Sequence, residues 1–253
     1  MRFTIDVMAL SPAKLRILYL QIREDDVTRA EELQEFVFYS GLAKSQFTTL
    51  NVFDTPYFDA KRASEYDAVF VGGSSDASVL QPIHYPFVED AKTLLAYCVQ
   101  ESIPVFASCF GFQLAVEALG GQVIEDKARM EMGVYPMQLS PEAQNDLLFH
   151  DVPNGFLAIS GHKERALTLP DQAICLASTQ RCPYHAFKLV DKPFYGFQFH
   201  PELNPKDLAM RIQRYQSRYL DDDDHLQQIL ASLQETPDAN QLIAKFVDRI
   251  LLS

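Results

Sequence analysis

The chain has 253 residues, 47% of them hydrophobic, with a net charge of −12 and a pI near 4.9. That length fits one large domain or two small ones, and the apolar share suits a globular protein with a sizeable core. The acidic balance, with no basic cluster to offset it, excludes a nucleic-acid partner, and no long uncharged apolar run is present to span a bilayer.

Met1-Arg2-Phe3-Thr4-Ile5-Asp6 is broken by charge and does not read as a secretory signal, while Phe3, Ile5 and Val7 alternate as an extra edge strand would. Residues 15–20 read as the first strand. Residues 26–39 read as a helix whose apolar stripe is Val27, Ala30, Leu33, Phe36 and Val37, ended by Gly41. Residues 47–52 and 68–71 read as strands, the latter running straight into Gly72-Gly73-Ser74-Ser75. A helix follows at 87–101, a fourth strand at 103–107, and a helix at 110–119 closed by Gly120-Gly121. This alternation predicts an α/β fold, a mostly parallel open sheet with helices on both faces. In such sheets the sites form beyond the carboxyl ends of the strands. Gly72-Gly73 and Cys109 both fall at such ends.

From about residue 123 the pattern changes to short apolar segments (133–139, 156–160, 173–177, 186–190 and 194–199) separated by Pro, Gly and Asp. These read as a smaller antiparallel strand region. Helix resumes at 206–219. Asp221-Asp222-Asp223-Asp224 reads as a solvated helix start. Thr236-Pro237-Asp238 opens a last helix, docked by Leu242, Ile243, Phe246, Val247 and Ile250. No repeat or linker divides the chain. The expected organisation is one domain over 1–253, with a core at about 14–205 and a C-terminal helical extension at about 206–253.

The chemistry concentrates in two segments. Cys109 stands where an apolar run turns into a helical pattern, and a helix start favours an anion there, as a nucleophilic thiolate requires. A small buried apolar residue is an equal reading of this cysteine taken alone. His200 ends the run Phe197 to Phe199, and in extended chain residues i and i+2 share a side, so Glu202 can orient the imidazole across Pro201. Gly72-Gly73 lets backbone approach a ligand closely and aim N–H groups at it. A phosphate loop is discounted there, because no Walker-type lysine accompanies it.

Taken together, Ala107-Ser108-Cys109-Phe110-Gly111-Phe112-Gln113, His200-Pro201-Glu202, Gly72-Gly73 and Ser160-Gly161-His162-Lys163-Glu164 resemble the class I, triad-type glutamine amidotransferases, in particular the GMP synthetase-like branch. The family motif Gly-x-Cys-x-Gly-x-Gln is met except that Ala107 replaces its first glycine. Ser74 stands where proline is usual, and Gly161 is an insertion in Ser-His-x-Asp. The likeness covers about residues 14 to 205 and implies the flavodoxin-like fold of that family. It also implies that Cys109 attacks the side-chain amide of glutamine, that His200 protonates the leaving ammonia and then activates water, and that Glu202 orients His200. Gly72, Gly73 and Phe110 would serve the oxyanion, and Gln113, Gly133, Ser160 and His162 would lie near the substrate.

No cofactor and no metal is implied. The expected partner is a small-molecule substrate, glutamine or another γ-glutamyl compound, with ammonia passed to a separate synthetase chain. A γ-glutamyl peptide hydrolase with the same triad and a non-catalytic regulatory partner are the alternatives. The cysteines at 98, 109, 175 and 182 form no disulfide framework and no close-spaced zinc pair, which fits a reducing cytoplasm. Cys98 and Cys175 read as buried and Cys182, beside Pro183, as an exposed thiol. His84, His150, His185 and His225 read as surface or turn residues.

Overall fold

The computed structural model describes residues 12–215 and 223–253. The alternation of Phe3, Ile5 and Val7 and the first half of the acidic run lie outside the described residues, as do the side chains of Asp223, Asp224 and His225. Eight of the described strands form one sheet, in the order β2 (Phe47–Asn51), β1 (Ile17–Gln21), β3 (Ala68–Val71), β4 (Val105–Ser108), β12 (Phe194–Phe197), β11 (Ala186–Leu189), β10 (Ala173–Ser178) and β7 (Gln138–Leu139). The first five run parallel, and the last three continue the sheet antiparallel.

The strand sequences explain why both faces are covered. Successive side chains point to opposite faces, so a strand apolar at every position must be buried on both. Ile17, Tyr19, Ala68, Phe70 and Phe106 face one layer, and Leu18, Leu20, Val69, Val71, Val105 and Ala107 face the other. The first layer is closed by α1 (Asp26–Ser40) and α6 (Pro237–Phe246), through Phe36, Leu242, Ile243 and Phe246. The second is closed by α2 (Phe87–Glu101) and α3 (Phe110–Ala118), through Leu94, Leu95, Leu114 and Val116. The last helix docks as its stripe of apolar residues predicts.

The first helix buries the later part of its predicted stripe, Phe36 fully with Leu33 and Val37 packed beside it, but turns the start of that stripe outward. Val27 is 56% exposed and Ala30 is also exposed, whereas Thr28, Glu32, Glu35 and Phe36 are buried. The carboxylates are tolerated inside because each meets a guanidinium: Glu32 takes two hydrogen bonds from Arg23, and Glu35 takes two from Arg211 at 2.7 and 2.8 Å. Asp25 caps this helix by accepting from the Thr28 N–H, and Gly41, in the left-handed conformation at φ 70°, closes it.

Two smaller antiparallel pairs flank the sheet: β5 (Gln122–Glu125) with β9 (Glu164–Thr168), and β6 (Glu131–Pro136) with β8 (Leu157–His162). The segment 133–139 is therefore split between β6 and β7. Against β6 and β8 lie α4 (Pro205–Arg214) and α5 (Asp223–Ser232), sharing a third apolar cluster of Met132, Ile159, Leu203, Leu208, Ile212 and Ile229. The fourth strand starts at Val105 rather than residue 103, because the Ile103 N–H closes α2 back onto the Cys98 carbonyl. Among the described residues no helix is long and apolar enough to cross a membrane.

Candidate active site

Three neighbouring parallel strands, β3, β4 and β12, each deliver part of the site at their carboxyl ends: Gly72-Gly73, Cys109 and His200 respectively. The register pairs Ala107 with both Val71 and Gly196, and Ser108 with Phe197, so the three ends are level. The Cys109 N–H donates to the Phe197 carbonyl at 2.7 Å, tying the turn after β4 to the end of β12. Cys109 itself has φ 49° and ψ −99°, a backbone conformation rare outside glycine. The sharp reversal lifts its side chain off the sheet at the start of α3. Gly111 makes that possible, since a Cβ there would stand 2.8 Å from the Val71 Cβ. Ala107, where the family motif has glycine, is buried in the second layer and pairs regularly on both sides.

The chain leaves β12 at Phe197. Gln198 donates its N–H to the His185 carbonyl and His200 donates its own to the Ile159 carbonyl, so His200 is fixed by β8. The His200 Nδ1 donates to Glu202 Oε1 at 2.6 Å, and both side chains are buried. Burial by itself lowers the imidazole pKa. The nearby Cys109 sulfur and the Glu202 carboxylate outweigh it and raise that pKa far above the ordinary histidine value. Burial pushes the Glu202 carboxyl up, but the facing imidazolium more than offsets this and lowers it. A Cβ on Gly73 would lie 2.9 Å from His200 Cε1 and 3.6 Å from Cys109 Cβ, so this glycine rests against both.

The two glycine N–H groups are not free. Gly72 donates to the Leu20 carbonyl at 3.1 Å, and Gly73 donates to Glu32 Oε1 at 3.1 Å. Glu32 also accepts from Arg23 and from the Tyr19 hydroxyl. The expected oxyanion donor at Gly73 is thus already engaged in this conformation. Phe110 opens α3, where the first N–H groups have no acceptor within the helix.

Above Cys109 lies a cavity of about 610 Å³, walled by Ser74 to Ser78, Gln113, Met130, Met132 and Gly161 to Glu164. Gln113 reaches it, but its amide nitrogen already donates to the Glu164 carbonyl at 3.0 Å. Gly133 does not line this cavity: φ 125° turns it beneath α5, near Ile229 and Ser232. Ser160, its ladder partner, is fully buried, is not part of the wall, and leaves its hydroxyl without a partner. His162 does line the cavity, with its Nε2 on Glu131 Oε2 at 3.2 Å.

Two expectations from sequence are corrected. His185 does lie in a turn, but fully buried rather than at the surface, and its Nε2 meets Glu131 Oε2 at 2.6 Å. Cys182 is also fully buried, not an exposed thiol, and burial pushes its pKa up to about 12. His84 and His150 are exposed and Cys98 is core, as expected; Cys175 is only half-buried. Glu131 and Glu32, which organise the histidine cluster and the glycine turn, carry no motif; a carboxylate on an otherwise apolar strand or helix face is their only sequence signal.

Comparison with known proteins identifies the family and the fold. The model of the family described as glutamine amidotransferase class-I matches residues 39–216. A protein of Methanocaldococcus jannaschii, named as one of the subunits of a GMP synthase (glutamine-hydrolyzing), is 34% identical over 119 residues, 47% of this chain and 61% of that protein. GMP synthase (glutamine-hydrolyzing) of Aliivibrio fischeri is 32% identical over 124 residues, 49% of this chain but 23% of that protein. The match thus spans less than two thirds of either relative. Among solved structures, a glutamine amidotransferase from Thermotoga maritima superposes with a TM-score of 0.75 at 19% identity, covering 94% of this chain and 99% of that one. One from Methylobacillus flagellatus gives 0.68 at 17% identity, with coverages of 94% and 95%. At such identities the likeness concerns the fold.

Proposed function

The chain belongs to the class I glutamine amidotransferase family, and from that premise we propose that it hydrolyses the side-chain amide of glutamine through a thioester on Cys109. The observation that carries the reading is the meeting of a thiol on a strained strand-to-helix turn with a carboxylate-held imidazole from the neighbouring strand.

In this reading Cys109 Sγ attacks the amide carbon, and the C–N bond of the tetrahedral intermediate breaks as the His200 imidazolium gives its proton to the departing ammonia. The now neutral imidazole takes a proton from water, whose oxygen attacks the thioester and releases glutamate and the thiol. Glu202 keeps the ring oriented and stabilises its charged form throughout. The Phe110 N–H is a donor for the oxyanion, and the Gly73 N–H joins it on leaving Glu32. The relatives whose names make them one component of a multi-chain GMP synthase support a separate synthetase chain as the acceptor of the ammonia. Four free thiols support a reducing, cytoplasmic setting.

One observation favours a second substrate class. A cavity of about 610 Å³ over the thiol sits well inside the range of whole-ligand pockets, roughly 300–1,000 Å³, and leaves room for a leaving group larger than ammonia. The deciding experiment measures ammonia release from glutamine beside cleavage of γ-glutamyl dipeptides. Turnover of glutamine that disappears in Cys109→Ser supports the first reading. Turnover of dipeptides alone replaces it with the second, and Cys109→Ser at the wild-type rate ends both.

A further inference from the structure

A second thiol–imidazole cluster lies behind the wall of the cavity, and the proposed reaction does not use it. His162 ends β8, Cys182 and His185 lie on the turn between β10 and β11, and one donor atom from each lies within 4.8 Å of the other two. All three side chains are buried. The turn is held rigidly: Thr179 Oγ1 accepts from the Cys182 N–H at 2.9 Å, and the Thr179 N–H donates to the Cys182 carbonyl at 2.8 Å.

Two features of the cluster bear on what it could hold. First, His185 Nδ1 is buried with no hydrogen-bond partner among the described residues, although its other ring nitrogen is firmly on Glu131. A buried polar atom of this kind needs a partner that those residues do not supply. Second, Glu131 is fully buried and, among the described residues, forms no ion pair with lysine or arginine. It accepts from two imidazoles and from the Thr179 hydroxyl at 2.6 Å. One carboxylate oxygen thereby fixes the orientation of both rings.

We propose that His162, Cys182 and His185 bind a divalent cation of the zinc class, with Glu131 as the carboxylate that orients both imidazoles. Two imidazoles and a thiolate form the borderline-soft donor set that selects zinc over magnesium or calcium. A carboxylate that holds one ring nitrogen of a histidine leaves the other as a lone pair for the metal. Binding takes the thiol proton of Cys182 to solvent and leaves each imidazole neutral, one nitrogen on the metal and the other carrying its proton. The buried position makes the site a clamp joining β8 to the β10–β11 turn, and it fixes His162 in the cavity wall.

The test uses the full chain carrying Cys109→Ala, which removes the competing thiol beside His200. The protein is stripped by chelator and titrated with Co(II), then with zinc as competitor. One equivalent of cobalt is expected, with the visible absorption of a tetrahedral site and a near-ultraviolet thiolate-to-cobalt band, both displaced by zinc. The same spectrum is expected in Cys175→Ala, whereas Cys182→Ser loses the thiolate band. His185→Gln, which keeps a donor for Glu131 but offers no ring nitrogen, weakens binding at least ~10-fold. Should Cys182→Ser fail to fold, the parent spectrum still decides. No bound cobalt, a spectrum without a thiolate band, or a band that persists in folded Cys182→Ser overturns the proposal.

Discussion

The molecule carries the same three chemical groups twice. At the ends of β4 and β12, a thiol, an imidazole and a carboxylate meet beside an open cavity. Between β6, β8 and the β10–β11 turn, a thiol, two imidazoles and one carboxylate meet in a buried space behind that cavity's wall. The difference lies in how the carboxylate is shared. Glu202 serves His200 alone, and with the nearby sulfur it outweighs burial and raises that imidazole's pKa. Glu131 divides one oxygen between His162 and His185, and burial wins at His162, whose pKa falls. In the proposed reaction the first arrangement supplies a proton; in the proposed metal site the second supplies lone pairs. Similar residues at similar burial thus acquire opposite chemistry from the ratio of imidazoles to carboxylates.

Substitutions at matching positions break or sharpen that contrast. The largest expected effect is on turnover: His200→Asn removes the proton carrier and is expected to cost at least ~1,000-fold in kcat for glutamine, whereas His185→Gln costs less than ~10-fold. Steady-state rates of the two variants check this, and comparable losses would erase the distinction between the clusters. Glu202→Gln is expected to fall between them, because an orienting carboxylate contributes less than the base it orients. Next in size is stability. Glu131→Gln replaces a carboxylate accepting from three side chains with an amide that can accept at only one oxygen, and is expected to lose about 1–3 kcal/mol in denaturant unfolding of the metal-free chain. No loss would mean that this carboxylate does not organise the cluster.

The smallest effect is a titration. The folded His200 pKa is raised above its unfolded value of about 6.5, so its contribution to stability is complete below pH ~6.5 and is lost as pH rises through the folded value. In Glu202→Gln the imidazole keeps its burial but loses a charged partner, and its pKa is expected to fall. Imidazole NMR titration of wild type and variant reads the shift directly; an unchanged or higher value would transfer the cause to the sulfur alone.

The two clusters also differ in how far they could be read in advance. Cys109, His200 and Glu202 were legible because each obeys a local rule: a strand-to-helix turn in one case, and same-side residues at i and i+2 in the other. Their convergence was less so: residues 194–199 read as part of the antiparallel region, whereas β12 runs parallel beside β4 and so ends on the same edge. The parallel core was plain, since β3 and β4 are apolar at nearly every position. The second cluster gathers residues from β6, β8 and a turn, and nothing in the sequence around Glu131 shows that Thr179, His162 and His185 will converge on it. The buried face of α1 was partly hidden for a related reason. Glu32 and Glu35 become core residues only after Arg23 and Arg211 arrive from distant segments, so the apolar stripe gave only the part of the face that holds Leu33, Phe36 and Val37. Local chemistry is written in neighbouring residues, whereas compensated charge is written in pairs far apart in sequence.

The ladder between β4 and β12 also works as a vernier for the reacting atoms. Its hydrogen bonds let the strands slide only in whole residues of about 3.3 Å, and a single step would throw alternate side chains to the wrong face. The stacked rings of Phe106 and Phe197, 4.5 Å apart, penalise any such step. Sulfur and imidazole are therefore either aligned or separated by a full notch. Gradual drift of the pair out of alignment is not open to this scaffold, so substitutions in the sheet core should yield mixtures of fully competent and fully inert molecules rather than a uniformly sluggish population.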